Sequence, residues 1–253
     1  VYSIDVDELN ISEIQGAGHI SPFVDTLVIS EGIVTGVAVN GFYLQGDSDG
    51  NDDTSDGVFV FTGSQPTVTT GDEARVFGTV CEFIPGGAGT GNLSITQLTS
   101  PEVVILSSDN ALPEAVVIGQ SGRVAPSEIV ISDDELPTNL QETAGVFDPE
   151  QDAIDFYEAV EGMRVTVEAA IAVSPTRVFN SFSAAAFTLP NQGATATPDD
   201  VLTARGGINL QSGPDNTGDQ NPERVQIQFD PNLLPDGFDT PALTVGDKLG
   251  DVT

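Results

Sequence analysis

The sequence predicts an all-β protein with two small OB-like β-barrels in tandem. Glycine and proline are frequent, with 27 and 16 residues, and the short apolar runs between them are rich in Val and Thr, which favour strands. Turn signals recur at regular spacing along these runs. At 253 residues the chain has room for one or two domains with a substantial core. We expect a single short helix.

We place the first barrel at residues 21–107, after a lead-in of residues 1–20. Its first strand covers 26–39 and ends at Asn40-Gly41, a dipeptide typical of a tight hairpin turn with positive φ. Further strands are predicted at 42–45, 58–61, 75–83, 93–98 and 103–106. This number and spacing of strands is typical of a small closed or nearly closed barrel.

The second barrel is predicted at residues 113–253, after a linker at 108–112. Helical spacing predicts its one short helix: Asp148 suits the N-cap, Pro149 suits the first helical position, and Gly162 can end the helix. The strands of this half are predicted at 113–118, 163–167, 170–173, 182–189, 208–211 and 225–229.

A faint internal repeat relates the two halves. Residues 31–35 are similar to residues 161–167, and residues 70–79 are similar to residues 245–253. The repeat predicts that the second barrel is incomplete at its C-terminus, without its closing strand. Two explanations stay open: the natural chain continues, which we favour, or a strand of another copy completes the sheet by β-augmentation.

The charge of the chain restricts its partners. Thirty-nine acidic residues against seven basic ones give a formal net charge of −32, and the basic residues are scattered singly. We therefore expect no direct nucleic-acid binding, because that affinity comes mainly from clustered Lys and Arg. Such a surface attracts divalent cations or suits a salty medium. No apolar run reaches the roughly 20 residues of a membrane span.

The location predicted from this composition is extracellular or at the cell surface. Lys248 is the only lysine and aspartate is the preferred acid, as we expect of a halophilic protein. Two N-glycosylation triplets, at Asn10 and Asn92, fit the same location.

The acidic loop at 47–57 is the best candidate for a metal site, because several oxygens of a short loop can surround Ca²⁺. Its candidate ligands are Asp47, Asp49, Asn51, Asp52, Asp53 and Asp56. The loop is not an EF-hand, since Asp52 replaces the required glycine and Val58 stands where the bidentate glutamate belongs. Ca²⁺ is therefore the candidate cofactor, and a solvated acidic loop is an equal alternative.

Tyr43 is the candidate ligand contact. The alternation of Phe59 with Phe61, and of Phe42 with Leu44, predicts that both pairs point into the barrel, which leaves Tyr43 on the outer face. A base-stacking platform would need nearby cations. Because none is present, we expect a glycan or a peptide as the partner.

We predict no catalytic site in these residues. His19 is the only histidine and Cys81 the only cysteine, so there is no nucleophile–base pair and no His cluster. We expect His19 to be a structural or surface residue, and Cys81 to be an ordinary thiol within a strand.

Several segments carry a family resemblance. In the first half they are IQGAGHISP (14–22), EGIVTGV (31–37), NGFYLQ (40–45) and DDTSDGVFVF (52–61). In the second half they are FDP (147–149), DFYEAVEGMRVTV (155–167), ARGGI (204–208), NPER (221–224) and VGD (245–247). Together these segments resemble the N-terminal region of large secreted nucleases of the endonuclease/exonuclease/phosphatase superfamily.

The resemblance implies OB-like barrels that precede a catalytic domain. It also implies that catalysis, by Asp, Glu, Asn and His around a divalent metal, belongs to that later domain. No catalytic residue is therefore assigned to this chain, and the parent protein is expected to be a metal-dependent nuclease or phosphoesterase.

We therefore expect a non-catalytic, extracellular tandem β-barrel module of a larger secreted or surface protein, stiffened by Ca²⁺, that serves spacing, docking or substrate presentation. Its expected partners are divalent cations and either other copies or downstream domains of the same chain. Two alternatives stay open. One is a structural subunit of an acidic filament or surface layer with strand exchange between chains, and the other is a carbohydrate- or matrix-binding module.

Overall fold

The computed structural model describes residues 6–132, 146–180, 183–191, 201–209, 220–230, 233–234 and 237–253. These residues form an all-β protein, as predicted. They contain the strands β1 (Asp7–Glu8), β2 (Leu27–Ala38), β3 (Gly41–Gln45), β4 (Gly57–Phe61), β5 (Glu73–Phe83), β6 (Ile95–Ser107), β7 (Val116–Ile118), β8 (Val165–Ala172), β9 (Arg177–Asn180), β10 (Ser183–Leu189), β11 (Val225–Phe229) and β12 (Lys248–Val252), and the helices α1 (Ile11–Gln15) and α2 (Ala153–Glu158). None of these helices is long and apolar enough to cross a membrane.

The chain divides into two compact units. The described residues of the first unit are 6–114, 146–148 and 157–164, and the remaining described residues form the second unit. The predicted linker at 108–112 lies close to the first change of unit at 114. The sequence did not predict that residues 157–164 belong to the first unit.

Five strands of the first unit close into a barrel. β2 pairs with β3 and β3 with β4, all antiparallel; β4 pairs in parallel with β6, β6 antiparallel with β5, and β5 returns antiparallel to β2. β1 adds in parallel to β2. This is the small OB-like barrel that the sequence predicts. The two predicted strands at 93–98 and 103–106 are one strand, β6, which contains a positive φ at Ser100.

The barrel encloses a core of aliphatic residues and one phenylalanine. Its buried members are Ile11, Ile14, Val28, Val34, Phe42, Leu44, Val58, Val60, Val68, Ala74, Val76, Val80 and Leu98. Ile11 and Ile14 come from α1, which lies in the predicted lead-in. The backbone N–H of Asn10 donates to Glu13 Oε2 at 2.9 Å, as in a capping box. The lead-in is therefore part of the core.

The β2–β3 hairpin is confirmed, but its turn differs from the prediction. Ala38 pairs with Gly41, so the turn residues are Val39 and Asn40. Neither Asn40 nor Gly41 has a positive φ. Gly41 is required for another reason, since a Cβ there would lie 2.8 Å from Phe59 Cε1 and closer still to the ring tip and the Val60 carbonyl.

The second unit is an antiparallel sheet in the order β11-β10-β8-β12, with β7 parallel to β8 and β9 paired to β10. The two predicted strands at 163–167 and 170–173 are one strand, β8, whose register shifts where Ala169 has φ 44°. The predicted strand at 208–211 is wrong over its described part, because Ile208 forms only an isolated bridge with Leu202. Residues 210 and 211 lie outside the described residues.

The predicted short helix exists, but its predicted start is wrong. α2 begins at Ala153, whose N–H donates to the Ile129 carbonyl at 3.1 Å, and the next N–H donates to Val130 at 3.2 Å. These carbonyls satisfy the first donors of the helix, so Asp148 is not its N-cap. Gly162 has φ 70° and ends the turn that follows α2.

Both units contain the same four-residue turn, which supports the predicted repeat. In the first unit the backbone and hydroxyl of Thr69 donate to Asp72 Oδ2 at 2.7 and 3.1 Å. In the second unit Thr244 donates to Asp247 Oδ2 at 2.8 and 3.0 Å. Each turn has a glycine of positive φ at its third position, 90° and 94°.

The backbone hydrogen bonds of this turn show which residues of the two units correspond. The turn glycine donates to the Val34 carbonyl at 2.9 Å in the first unit and to the Ala172 carbonyl at 2.8 Å in the second. Val34 therefore corresponds to Ala172. The predicted match of residues 31–35 with 161–167 is wrong, because Glu31 lies inside β2 whereas Glu161 precedes β8.

Candidate functional site

A cavity of ≈ 420 Å³ lies on the outside of the first barrel. Its lining combines aromatic rings with a few polar groups, as ligand pockets usually do. The lining residues are Asn40, Tyr43, Phe59, Phe61, Phe83, Ile95, Gln97, Glu161 and Gly162. All of them belong to the first unit.

The aromatic wall of the cavity comes mainly from β3 and β4. Tyr43 pairs directly with Phe59 across the two strands. Their ring centroids are 5.1 Å apart and the ring planes are inclined by 61°, an edge-to-face contact that holds both rings in place. Phe61 continues the wall along β4 and is 36% exposed. Tyr43, the predicted ligand contact, thus lines the cavity.

The prediction that Phe59 and Phe61 point into the barrel is wrong. Val58 and Val60 occupy the barrel interior, both fully buried, so the alternating positions of β4 face outward. The prediction for Phe42 and Leu44 is confirmed, since both are in the core. β4 reads GVFVF, which is apolar on both faces, and period-2 patterning cannot tell the two faces apart.

Gln97 places an unsatisfied amide in the cavity. It is 7% exposed and lies on β6 opposite Phe59. Its side chain lines the cavity and makes no hydrogen bond with any described residue. A side-chain amide offers two N–H donors and an accepting oxygen. Because its amide atoms are open to the cavity and not sealed from solvent, they can form hydrogen bonds with a molecule bound there.

Glu161 is brought to the cavity by the segment 157–164. Its Oε1 accepts the Thr96 N–H at 2.9 Å, and its carbonyl accepts the Ser55 hydroxyl. Further along this segment the Arg164 N–H donates to Gln45 Oε1 at 2.8 Å. These bonds anchor the segment to β3, to β6 and to the loop before β4.

Two glycines allow this close approach. A Cβ on Gly57 would lie 2.5 Å from both the Gly162 carbonyl oxygen and the Met163 nitrogen. A Cβ on Gly162, whose φ is 70°, would lie 3.0 Å from the Gly57 carbon. The two backbones therefore touch at a point where a side chain would separate them.

Glu161 belongs to a group of carboxyl side chains with little positive charge nearby. Burial, together with the neighbouring Glu158 and Glu82 carboxylates, raises its pKa to about 8 against the lowering effect of the Thr96 hydrogen bond. Among the described residues, no Lys or Arg lines the cavity. The guanidinium of Arg164 donates to the Pro113 carbonyl at 3.1 Å.

The two neighbouring carboxyl groups have different surroundings. Glu82 Oε1 accepts the Ser21 N–H and the Thr96 hydroxyl, both at 2.9 Å, whereas its Oε2 is buried without a hydrogen-bond partner among the described residues. Glu158 Oε2 lies 3.3 Å from His19 Nδ1. His19 is buried and also contacts Phe147 edge-on at 5.6 Å. Its place is thus internal, beside Glu158.

Comparison with known proteins identifies a family. Residues 117–253, more than half of the chain, match the family model described as Domain of unknown function (DUF8508). The chain belongs to this family. No curated protein and no solved structure matches the chain.

The DUF8508 match and the cavity overlap only in part. The matched residues include Glu158, Glu161 and Gly162, which pack against the first barrel. Tyr43 and the other ring residues of the cavity precede the match. The DUF8508 model therefore covers one wall of the cavity without its aromatic side.

The acidic loop at 47–57 uses its side chains within the loop. Asp49 Oδ1 accepts the Asn51 N–H at 2.8 Å, and Asn51 Oδ1 accepts the Asp53 N–H at 3.2 Å. Burial raises the pKa of Asp56, whose Oδ1 accepts the Asp49 N–H at 3.4 Å. Across the described part of the chain, no group of three or more His, Cys, Asp or Glu side chains is arranged to hold a metal ion. The predicted acidic ligands form no such group, and the Ca²⁺ site at this loop stays a prediction.

Proposed function

We propose that this chain is a non-catalytic module of a larger secreted or surface protein of the nuclease or phosphoesterase type. Its role is the docking of a partner through the cavity of the first barrel. The family resemblance supports a parent protein of the nuclease or phosphoesterase type, and the acidic composition supports an extracellular location. The observation that carries the proposal is the aromatic cavity with the unsatisfied Gln97 amide.

The chemistry of the cavity supports binding of a small group with an apolar face. Tyr43 and Phe59 offer ring surfaces, while Gln97 and Glu161 can form directed hydrogen bonds. Rings supply most of the contact area in such sites, and a few polar groups set the orientation. The described lining residues include no Lys or Arg, and the net charge of the chain is −32. The cavity therefore disfavours phosphates and other anions as ligands.

The test is a binding screen on the whole chain, followed by NMR of its backbone amides. The panel contains neutral oligosaccharides, short peptides and alkylammonium salts. We expect at least one member to shift the signals of Tyr43, Phe59 and Gln97, and Tyr43→Ala to abolish that shift. Phe77→Ala, on β5 outside the cavity, is the control and should bind as the wild type does. If no member shifts these signals, the proposal fails.

A second candidate function is a structural subunit with strand exchange between chains. In the first unit β6 lies between β4 and β5. Among the described residues of the second unit, no strand lies between the corresponding β11 and β12. Unpaired edges of this kind accept added strands. Concentration-dependent polymers in sedimentation velocity at high salt would support this candidate, and a monomer at every concentration would refute it.

A further inference from the structure

Glu161, the carboxyl group that lines the cavity, forms no ion pair with a Lys, Arg or His side chain among the described residues. Glu161 lines the cavity, with Glu158 on its own segment and Glu82 on β5 beside it. Glu158 is already paired with His19, whose Nδ1 lies 3.3 Å from Glu158 Oε2, and the guanidinium of Arg164 donates to the Pro113 carbonyl. Buried carboxyl groups are normally paired with a cation. A cationic ligand would supply that partner.

The aromatic wall favours the same kind of ligand. Rings attract cations to their faces through the ring quadrupole, and the contact is strongest in sites that exclude water. Tyr43, Phe59, Phe61 and Phe83 present rings to the cavity that holds Glu161. A cation with apolar substituents can contact these rings while its charge meets the carboxylate.

Gln97 and the negative charge of the whole chain also favour a cationic ligand. The Gln97 side-chain oxygen is free to accept an N–H donor among the described residues. The net charge of −32 raises the local concentration of cations and lowers that of anions. Both features favour an ammonium group over a neutral hydroxyl compound.

We infer that the cavity binds an ammonium group carried on an apolar stem, held between the aromatic rings and the Glu161 carboxylate. This inference rests on the proposed function, since it names the ligand class of the same cavity. A lysine side chain of a protein partner and a free alkylamine share this chemistry.

The inference predicts how binding depends on pH. Glu161 has a pKa of about 8, so it is mostly protonated at neutral pH and must lose its proton to pair with the ligand. Affinity then rises about tenfold per pH unit below 8 and levels off above it, which amounts to about 100-fold between pH 6 and pH 9. A neutral ligand that accepts the Glu161 O–H shows the opposite trend, with weaker binding above pH 8.

The experiment titrates the whole chain with three probes at constant ionic strength, followed by NMR. n-Butylammonium represents a free amine, N-acetyl-lysine methylamide represents a lysine side chain, and n-pentanol is the neutral counterpart. We expect at least one of the two cations to shift the Tyr43 and Gln97 signals with the pH dependence above, and n-pentanol to bind at least tenfold more weakly.

Two variants separate a specific ion pair from bulk attraction. Glu161→Gln keeps the shape and hydrogen-bonding capacity of the side chain, and should remove both the tight binding and its pH dependence. Glu102→Gln removes one exposed carboxylate on β6 and should change nothing. If both variants weaken binding equally, the attraction is non-specific and the inference is overturned.

The remaining outcomes distinguish the inference from the proposed function. If an oligosaccharide binds at the cavity and binds more weakly above pH 8, the inference fails and the proposed function stands. If neither cation binds while a neutral member of the panel does, the same conclusion holds. If nothing shifts the cavity signals, both fail together.

Discussion

Replacing Gly57 by alanine should break the contact that brings Glu161 to the first barrel. The added Cβ would lie 2.5 Å from Gly162 O and Met163 N. Carbon atoms in van der Waals contact with such atoms lie about 3.5 Å away, so the two backbones must separate by about 1 Å. Both atoms belong to the backbone, and no side-chain rotation can relieve the clash.

The cost follows from the bonds that cross this contact. A shift of this size weakens the hydrogen bonds from Ser55 to the Glu161 carbonyl, from Thr96 to Glu161 Oε1 and from Arg164 to Gln45. Each is worth about 1 kcal/mol, and the overpacking adds a similar amount, so we expect a loss of about 2 to 4 kcal/mol in unfolding free energy. Glu161 also becomes more exposed, which should lower its pKa toward the ordinary value.

Urea unfolding followed by circular dichroism measures this loss in the whole chain. Gly46→Ala is the matched control, because its Cβ would lie 3.6 Å from the nearest atom, the Glu31 carbonyl oxygen, and so fits without movement. The control should change stability by less than about 0.5 kcal/mol. If Gly57→Ala is no more destabilising than Gly46→Ala, the segment 157–164 is not held as described.

Three further predictions follow from the same geometry. Gly41→Ala should lower the free energy of unfolding by about 1 to 3 kcal/mol, because its Cβ would meet the Phe59 ring and the Val60 carbonyl. Gly36→Ala is the control and should not destabilise the chain, because the nearest contact of its Cβ is at 3.6 Å. Equal effects of the two variants in urea unfolding would contradict this packing. The raised pKa of Glu161 means that its folded carboxyl holds its proton more tightly than the unfolded one. Stability should therefore fall by a few kcal/mol as pH rises from about 5 to about 8. Glu161→Gln should flatten that slope relative to the wild type, and an unchanged slope would refute the assignment. Because Asp49, Asn51 and Asp56 already accept N–H groups of loop 47–57, Ca²⁺ should raise the melting temperature no more than Mg²⁺ does at equal concentration. A larger, saturable rise that Asp49→Asn removes would instead establish a calcium site.

The sequence predicts strands well where only one face is apolar. In β3, Phe42 and Leu44 alternate with Tyr43 and Gln45, and the predicted inward and outward faces agree with the structure. β4 has valines on one face and phenylalanines on the other, so its pattern fits either orientation. The structure places the valines inside the barrel. In the opposite orientation, the larger phenylalanine rings would have to fit among the other core residues.

The parts of the site that the sequence missed depend on contacts between remote residues. Glu161 meets Thr96, 65 residues away, and Arg164 meets Gln45, 119 residues away. No local sequence pattern predicts contacts between residues so far apart in the chain. Two glycines of this contact have local meaning in the sequence: Gly162 predicts the end of a helix, and Gly57 the end of a loop. Neither residue predicts a backbone contact with the other.

The internal repeat shows which sequence similarities are structurally meaningful. The match around Gly71-Asp72 and Gly246-Asp247 reflects a shared turn with the same side-chain and backbone bonds. The match of Glu31-Gly32 with Glu161-Gly162 reflects no shared position. The difference is physical: an Asp that accepts two bonds from a Thr fixes the turn residues by their chemistry, whereas Glu-Gly is compatible with a strand as well as a turn.

The candidate site does not coincide with a unit of sequence. A boundary at 108–112 separates Tyr43 and the other rings from Glu161, and the DUF8508 match, which begins at residue 117, contains Glu161 without those rings. The segment 157–164 nevertheless packs with the first barrel, and its Glu161 supplies the only carboxyl group that lines the cavity within the described residues. A barrel ending at residue 112 would keep the aromatic wall and lose the group that we expect to select the charge of the ligand. We therefore expect the ligand preference of the first barrel to depend on residues that follow the start of the second unit in the chain.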